Sequence, residues 1–412
     1  MGPIQEQLAA LRRRIARIDL KYAGPNAAPL PVRPQRPGRF IEELMSGEVV
    51  RTSHGEHFEA EKLWERHRRH GSVGISDLAD LPEDLLDALS GGAIARSVPS
   101  KWAFLDTETT GLAGGTGTYA FLIGVGSIEA AGFRLRQFFM RDYGEEASVL
   151  ARLAEHLAQF EVIITYNGKA YDQPLLETRF RMARARHPFE RLEHLDLLFG
   201  ARRLWKLRLD SCRLVDLEQQ ILGVERQGDL PGAMIPYYYF DYVRTQQALR
   251  IVPIFHHNAM DILSLACLTA IVPLAFRSPE QSGLRHGADL IGLARWLKPE
   301  RPDDALRLLH QAVNLGLPDA LLFPALWETG LMEKRLGRAD QALAIFRELT
   351  ECRNPFRARA FEELAKHFEH HSRDFPKALE MTRQGLALEE SPQMRRREAR
   401  LSARIARLSV RS

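Results

Sequence analysis

Residues 101 to 275 alternate between apolar runs of strand length and longer stretches with a helical period. The apolar runs cover residues 102–106, 119–126, 133–140 and 161–166. Because the first three runs follow each other closely, with turn residues such as Gly132 between them, they predict an antiparallel meander. A helical pattern at about 145–158 separates them from the fourth run, and a further helix is predicted to begin at Pro174. This order predicts an α/β domain with a mixed sheet and flanking helices at 99–277.

The N-terminal segment, 1–98, has a weaker pattern. It begins with an amphipathic, arginine-rich helical pattern at 4–22 and continues through a linker with five prolines at 24–38. Val49 and Val50 predict the start of a strand, and residues 78–89 predict a helix. Four histidines, at 54, 57, 67 and 70, lie in a charged run whose spacing matches no metal-ligand pattern, so we interpret them as surface residues.

The C-terminal segment, 278–412, consists of helical patterns with a recurring Ala-Leu pair. The pairs begin at Ala305, Ala342 and Ala378, which are 37 and 36 residues apart. Such a period predicts a tetratricopeptide-like stack of helix pairs, a type of domain that usually binds protein segments. The last stretch, 394–411, carries seven arginines and one acidic residue, and it is either a capping helix or a nucleic-acid contact.

The amino-acid composition favours a soluble globular protein over a disulfide-rich or membrane-spanning one. Of 412 residues, 45% are hydrophobic and 27% are charged, which is typical of a soluble globular protein. Three widely spaced cysteines argue against a disulfide framework, and nowhere do about 18 apolar residues run together. We therefore expect a cytoplasmic protein with no membrane partner.

The first predicted strand carries the main chemical signal, Asp106 and Glu108. Residues two apart on a strand point to the same face, so both carboxylates project together where the strand ends. Carboxylate oxygens are preferred ligands of Mg²⁺ and Mn²⁺, although a solvated acidic pair on an edge strand has the same pattern.

Two later constellations add further acids. Asn167 and Asp172 follow the fourth strand, where Asp172 begins a predicted helix and has the position of an ordinary helix cap. His257 and Asp261 are four residues apart and share one face if the helix already includes His257. In isolation each is more often structural than catalytic, but together they form an ordered set of acids.

The ordered set resembles the DEDD superfamily of metal-dependent 3′→5′ exonucleases, which have a ribonuclease-H-like fold. The amino-acid sequences of the motifs resemble more specifically those of the YprB-type ribonuclease-H-like proteins, over about residues 99–275. The motifs that carry it are D-T-E-T-T-G-L-x-G-G, Y-N-G-K-x-Y-D-x-P, H-L-D-L-L with R-R-L-W-K-x-R-L-x-S-C-R-L, and H-N-x-x-D-I-L-S-L.

The resemblance implies roles for these residues. Two Mg²⁺ or Mn²⁺ ions would be held by the four acids Asp106, Glu108, Asp172 and Asp261, with a histidine as general base. The histidine branch of the superfamily places its base five residues before the last Asp, which selects His256, whereas the H-N-x-x-D spacing selects His257. We favour His257 and keep His256 as the alternative.

Nucleic acid is the expected substrate, with DNA preferred over RNA. We assign nucleic-acid contacts to Thr107, Thr109, Asn167, Arg202, Arg203, Lys206 and Asn258. Trp205, among the basic residues, either stacks an unpaired base or belongs to the core. The repeat domain suggests a protein partner such as a helicase. A non-cleaving scaffold that binds nucleic acid or a helicase, and a structure-specific endonuclease on the same fold, are the alternative functions.

Overall fold

A computed structural model describes residues 40–111, 116–226 and 228–409. The N-terminal helix and proline-rich linker predicted at 4–22 and 24–38 lie outside these residues. The strands are β1 Glu48–Thr52, β2 Gly55–Glu65, β3 Arg69–His70, β4 Val73–Gly74, β5 Trp102–Thr109, β6 Ala120–Glu129, β7 Gly132–Phe139, β8 Val162–Thr165 and β9 Glu193–Asp196. The helices before the C-terminal region are α1 Ile41–Leu44, α2 Ile75–Ala79, α3 Leu85–Ser90, α4 Glu146–Leu157, α5 Asp172–Met182, α6 Leu197–Trp205, α7 Leu214–Leu217, α8 Ile235–Thr245 and α9 Val252–Arg277. Those that follow are α10 Gly287–Leu297, α11 Pro302–Asn314, α12 Asp319–Arg335, α13 Ala339–Glu351, α14 Arg357–His370, α15 Phe375–Leu388 and α16 Pro392–Ser409.

Seven strands form one mixed sheet in the order β1-β2-β7-β6-β5-β8-β9. The β5–β8 and β8–β9 pairs are parallel, and the remaining pairs are antiparallel. The predicted mixed sheet with flanking helices is therefore confirmed, and an all-helical region follows it. The strand predicted at Val49 and Val50 is also present, as β1.

The hairpin β1–β2 extends the sheet beyond the elements predicted from the pattern. It pairs with β7 and contributes the buried Phe58 to the core. The interpretation of the four nearby histidines as surface residues is wrong for two of them. His57 is fully buried because Ser148 and Glu59 satisfy its two ring nitrogens, at 2.8 and 3.1 Å. His70 is buried with its Nε2 atom 2.8 Å from the hydroxyl of Ser264.

Helix α9 is apolar on nearly all sides because the protein surrounds it. Its first turns contribute Ile254 and Phe255 to one core, and its later turns contribute Ile262 and Leu263 to the other. Among the described residues, one helical stretch, Ala248–Arg277, is long and apolar enough to cross a membrane by length and composition. Of its most apolar window 78% is buried inside the protein, so packing accounts for its apolar character.

The first three C-terminal helices, α10–α12, continue the core of the α/β domain, and α13–α16 pack around a separate apolar cluster. One apolar cluster runs from Val73 in β4 through α9 and on to Met332 in α12. The three Ala-Leu pairs lie on α11, α13 and α15, the second helices of successive helix pairs, and Gly330 of α12 lies against Phe346 of α13. The predicted domain limits, 1–98, 99–277 and 278–412, and the tetratricopeptide class of these helices stay predictions.

Two glycines of β6 let α9 approach the sheet closely. A Cβ atom at Gly124 would lie 2.2 Å from Ile262 Cδ1 and 2.3 Å from Asn258 Oδ1. At Gly126 it would lie 2.7 Å from Ile262 Cγ2. Because Gly124 pairs with Asp106 of β5, this close approach brings α9 directly over the predicted acidic pair.

We expect Gly124→Ala to lower the free energy of unfolding by about 1–3 kcal/mol, the usual cost of overpacking a core. Urea denaturation of the full chain measures this change. The control is Gly117→Ala, because a Cβ atom there meets nothing within 4 Å, and we expect it to change stability by less than about 0.5 kcal/mol. Equal stability of the two variants would contradict the close-approach argument.

Candidate functional site

The alternation of β5 separates its acids from its core residues. Phe104, Asp106 and Glu108 share a face, and Phe104 belongs to the apolar cluster that contains Ile262 of α9. The two carboxylates therefore lie at the end of the same face, under the same helix. The predicted placement of Asp106 and Glu108 on one strand face is confirmed by the strand Trp102–Thr109.

Asp106 is held by a chain of amides. The side-chain nitrogen of Asn258 donates to Asp106 Oδ2 at 2.9 Å, and Gln137 donates to Asn258 Oδ1 at 2.9 Å. Asn258 is fully buried, so its role in the structure is to orient Asp106. The close packing of α9 encloses its side chain, and the nucleic-acid contact assigned to Asn258 from the sequence stays a prediction.

Asp172 joins the site at the start of α5. Thr107, on the opposite face of β5 from the acidic pair, donates its hydroxyl hydrogen to Asp172 Oδ1 at 2.6 Å. Thr107 therefore orients an acid, and Thr109 donates to the Gly111 carbonyl oxygen at 2.9 Å within its own turn. Both hydroxyl groups are thus bound within the protein, and the nucleic-acid contacts assigned to Thr107 and Thr109 stay predictions.

The loop before Asp172 is held by Asp196. Its carboxylate accepts from the main-chain N–H groups of Asn167 at 2.8 Å and Lys169 at 3.2 Å, and from Leu198 at the start of α6 at 3.1 Å. Asn167 needs this support because its φ of 67° lies in the left-handed region. Asp196 lies in the H-L-D-L-L motif, which was the sequence signal for it.

Helix α9 includes both candidate histidines, and this settles their geometry. His257 Nε2 lies 3.5 Å from Asp261 Oδ2 and 4.0 Å from Glu108 Oε1. His256 is exposed at the neighbouring helical position, about 100° around the helix. The structure therefore brings His257, and not His256, among the acids.

Burial raises the pKa values of all four acids, and the charges of the other acids raise those of Asp106 and Glu108 further. Burial raises the pKa of Asp172 to about 6, against a lowering by the Thr107 hydrogen bond. Burial, with the nearby charges of Asp261 and Asp172, holds the pKa of Asp106 well above its usual value. Burial also raises the pKa of Glu108 and of Asp261. Acids held this close together are stabilised in their charged form by a cation.

The donor set fits a hard divalent cation. Single ligand atoms of Glu108, His257 and Asp261 lie within 4.8 Å of one another, and Asp106 and Asp172 raise the pKa of Glu108 by their charge. Carboxylate oxygens dominate this set, which suits Mg²⁺ or Mn²⁺.

A groove of about 680 Å³ opens beside the acids. Its lining includes Asp106, Asp261, Tyr166, Asn167, Arg202, Lys206, Cys212 and Arg213. Leu198 and Arg202 of α6 and Lys206, which directly follows it with helical backbone angles, recur at intervals of four residues, so their side chains line the same wall. The Tyr166 hydroxyl group donates to the Cys212 carbonyl oxygen, and this hydrogen bond links the Tyr166 and Cys212 parts of the groove lining.

Arg203 and Trp205, which lie between the groove residues Arg202 and Lys206 in the sequence, point away from the groove. The Arg203 guanidinium group lies over the ring of Trp296, 5.2 Å from its centroid. Trp205 is fully buried in the core, so stacking of a base on this ring is excluded. The helical rotation of α6 explains both positions, because neighbouring residues point about 100° apart.

Sequence reasoning missed three charged residues, Glu218, Arg226 and Asp229. Asp229 accepts from His257 Nδ1, with its two oxygens at 2.8 and 3.0 Å. Arg226 Nη2 donates to Asp261 Oδ1 at 2.5 Å. The available signal was weak, since Arg226 and Asp229 lie in a short segment rich in glycine and proline between two helices.

We expect Asp172→Asn to stabilise the metal-free protein at pH 8 by up to about 3 kcal/mol, since each unit of pKa corresponds to about 1.4 kcal/mol. Below about pH 3 the acid is protonated in both the folded and unfolded states, so the variant and wild type should differ little. As the pH rises from about 4 to about 6, the unfolded state ionises first and the wild type loses stability relative to the variant. Thermal unfolding in chelator from pH 3 to pH 8 measures the difference.

Asp229→Asn is the matched control. Burial tends to raise the pKa of Asp229, but the His257 hydrogen bond and the charges of His257 and Arg226 hold it below its usual value. This variant should therefore lose stability at pH 8. A stability loss in Asp172→Asn at pH 8 would contradict the electrostatic argument.

Comparison with known proteins shows the family to which this chain belongs. A family model described as the RNase_H superfamily matches residues 103–272, which include all four acids. The chain is also 31% identical over 351 residues to the uncharacterized protein YprB of Bacillus subtilis (strain 168), a match that covers 82% of each chain. The protein therefore contains a ribonuclease H superfamily domain of nuclease type and belongs to the family of YprB.

Proposed function

We propose that this protein is a metal-dependent exonuclease that hydrolyses phosphodiester bonds of DNA in the 3′→5′ direction. One observation carries the proposal: Asp106 and Asp261 line a groove whose wall also presents Arg202, Lys206 and Arg213. A carboxylate cluster alone favours a cation, and a basic groove alone favours an anion. Their junction favours an anionic substrate whose phosphate lies beside the metal ligands.

Asp106, Glu108, Asp172 and Asp261 would hold two Mg²⁺ or Mn²⁺ ions. When bound, such ions activate water and offset the charge on the departing oxygen of a phosphodiester. The chain's own contribution is to fix the ligands, through Asn258 on Asp106 and Thr107 on Asp172.

His257 is the proposed general base. Asp229 accepts the hydrogen of Nδ1, which leaves Nε2 as the proton acceptor on the side of Glu108 and Asp261. Asp229 thus orients the imidazole ring, and Nε2 of His257 faces the acids. This arrangement suits proton abstraction from water.

The groove supports a nucleic-acid substrate without sequence preference. Arg202 and Lys206 offer positive charge to phosphates, which is the sequence-independent part of nucleic-acid affinity, whereas Arg213 is already paired with Asp216 at 2.8 Å. We propose DNA in preference to RNA, and a role in DNA repair or nucleic-acid processing in the cytoplasm. The C-terminal helix pairs are the proposed tetratricopeptide-like site for a protein partner such as a helicase.

We expect Asp106→Asn and Asp261→Asn to abolish cleavage while nucleic-acid affinity changes little, because phosphate contacts come mainly from Lys and Arg. The assay uses end-labelled single- and double-stranded DNA and RNA, with Mn²⁺ or with chelator. Release of mononucleotides from the 3′ end supports the proposal. Cutting of circular single strands identifies an endonuclease, and binding without cleavage by the wild type identifies a non-cleaving scaffold.

His257→Ala should reduce turnover by about 10² to 10⁴, the usual contribution of a positioned general base. His256→Ala is the matched control, since the same side chain is removed from an exposed position one residue earlier in α9. We expect its turnover to remain within about twofold of the wild type, a change of less than about 0.5 kcal/mol. A severe defect confined to His256→Ala would reverse the assignment.

A further inference from the structure

Arg226 lies between three carboxylates at the edge of the acidic site. Its Nε atom donates to Glu218 Oε1 and Oε2 at 2.9 and 3.0 Å, and its Nη1 atom donates to Asp229 Oδ2 at 3.2 Å. Its Nη2 atom donates both to Glu218 Oε2 and to Asp261 Oδ1, each at 2.5 Å. One guanidinium group therefore contacts Glu218, one of the four acids, and the carboxylate that orients His257.

This arginine is anchored from its buried side. The side chains of Arg226 and Glu218 are only 5% and 1% exposed. Glu218 begins the helical turn that continues from α7, and its carbonyl oxygen accepts from the Val224 N–H group at 3.1 Å. A swing of Arg226 away from Asp261 would break a bidentate pair and leave Glu218 charged and buried without its partner. The geometry therefore favours an arginine that stays in place.

The anchored contact sets the orientation of Asp261. Oδ1 of Asp261 is committed to Arg226, while Oδ2 faces His257 at 3.5 Å. Asp261 thus presents one oxygen to the acid cluster. Through Asp229, the same guanidinium group also holds the carboxylate that fixes Nδ1 of His257.

We propose that Arg226, anchored by Glu218, is a positioning residue that orients both Asp261 and the Asp229–His257 pair. The inference rests on the proposed function for its effect on turnover, but its effect on metal binding is measured separately. The opposite role is a competing cation that occupies the site until a metal ion arrives. The two roles predict changes of opposite sign in metal affinity.

The test measures Mn²⁺ binding to the full chain by titration calorimetry, with no nucleic acid present. Arg226→Lys keeps the positive charge but cannot pair with three carboxylates in a planar fork. We expect it to weaken Mn²⁺ binding by about 10- to 100-fold, the usual effect of losing a residue that supports a metal ligand. Glu218→Gln removes the anchor and keeps the arginine, so it should weaken Mn²⁺ binding in the same direction.

Turnover separates positioning from a general loss of stability. We expect Arg226→Lys to lower kcat while KM for DNA stays near that of the wild type, because Arg202 and Lys206 of the groove are unchanged. The matched control is Arg141→Lys, an arginine paired with Glu42, Glu56 and Glu145 outside the site. It should lower the melting temperature without changing Mn²⁺ affinity.

Two results decide the inference, and a third tests the proposed function separately. Weaker Mn²⁺ binding by both Arg226→Lys and Glu218→Gln, in folded protein, supports it. Wild-type or tighter Mn²⁺ affinity in Glu218→Gln overturns it, even if Arg226→Lys does not fold. A wild-type protein that binds Mn²⁺ through Asp261 but cleaves no nucleic acid contradicts the proposed function and leaves the positioning role intact.

Discussion

The close packing of α9 against the sheet is the contact on which the candidate site depends. Gly124 and Gly126 leave no side chain between β6 and the helix, so Asn258 reaches Asp106 and Asp261 lies over the same strand face. A larger residue at either glycine would push the helix outward and separate the acids. Burial of the apolar surface of α9 therefore fixes the positions of its polar residues His257, Asn258 and Asp261.

Charge is the second constraint, because burial and repulsion raise the pKa values of four neighbouring acids. The protein offsets this cost with neighbouring donors. Arg226 contacts Asp261, Asn258 donates to Asp106, and Thr107 donates to Asp172. These contacts let the acids remain together, and they also fix the directions of their oxygens. Binding of a divalent cation is then favoured by relief of repulsion at a site whose ligands need little rearrangement.

The C-terminal helices support the groove from behind. Gly292 of α10 lies against the main chain of α6 at Arg203 and Leu204, and the buried Asp289 pairs with Arg208 at 2.8 Å. Lys206 and Leu209, which flank Arg208 in the sequence, line the groove. By holding Arg208, α10 therefore stabilises the side of the groove that carries Arg202 and Lys206. A partner bound to α10–α12 would thus contact helices that share a continuous core with the ribonuclease H superfamily domain, whereas α13–α16 pack around an apolar cluster of their own.

The sequence by itself determined the elements and the identity of the acids. The closely spaced apolar runs predicted the meander, because strand periods are local properties of the chain. The resemblance of the motifs to the DEDD superfamily singled out Asp106, Glu108, Asp172 and Asp261. Only the tertiary structure decided what depends on distant residues meeting. It buried Trp205, directed Arg203 to Trp296, and placed His257 rather than His256 beside the acids. It also brought Arg226 and Asp229 to the site, because a contact between a turn-rich segment and a distant helix has no periodic signal along the chain.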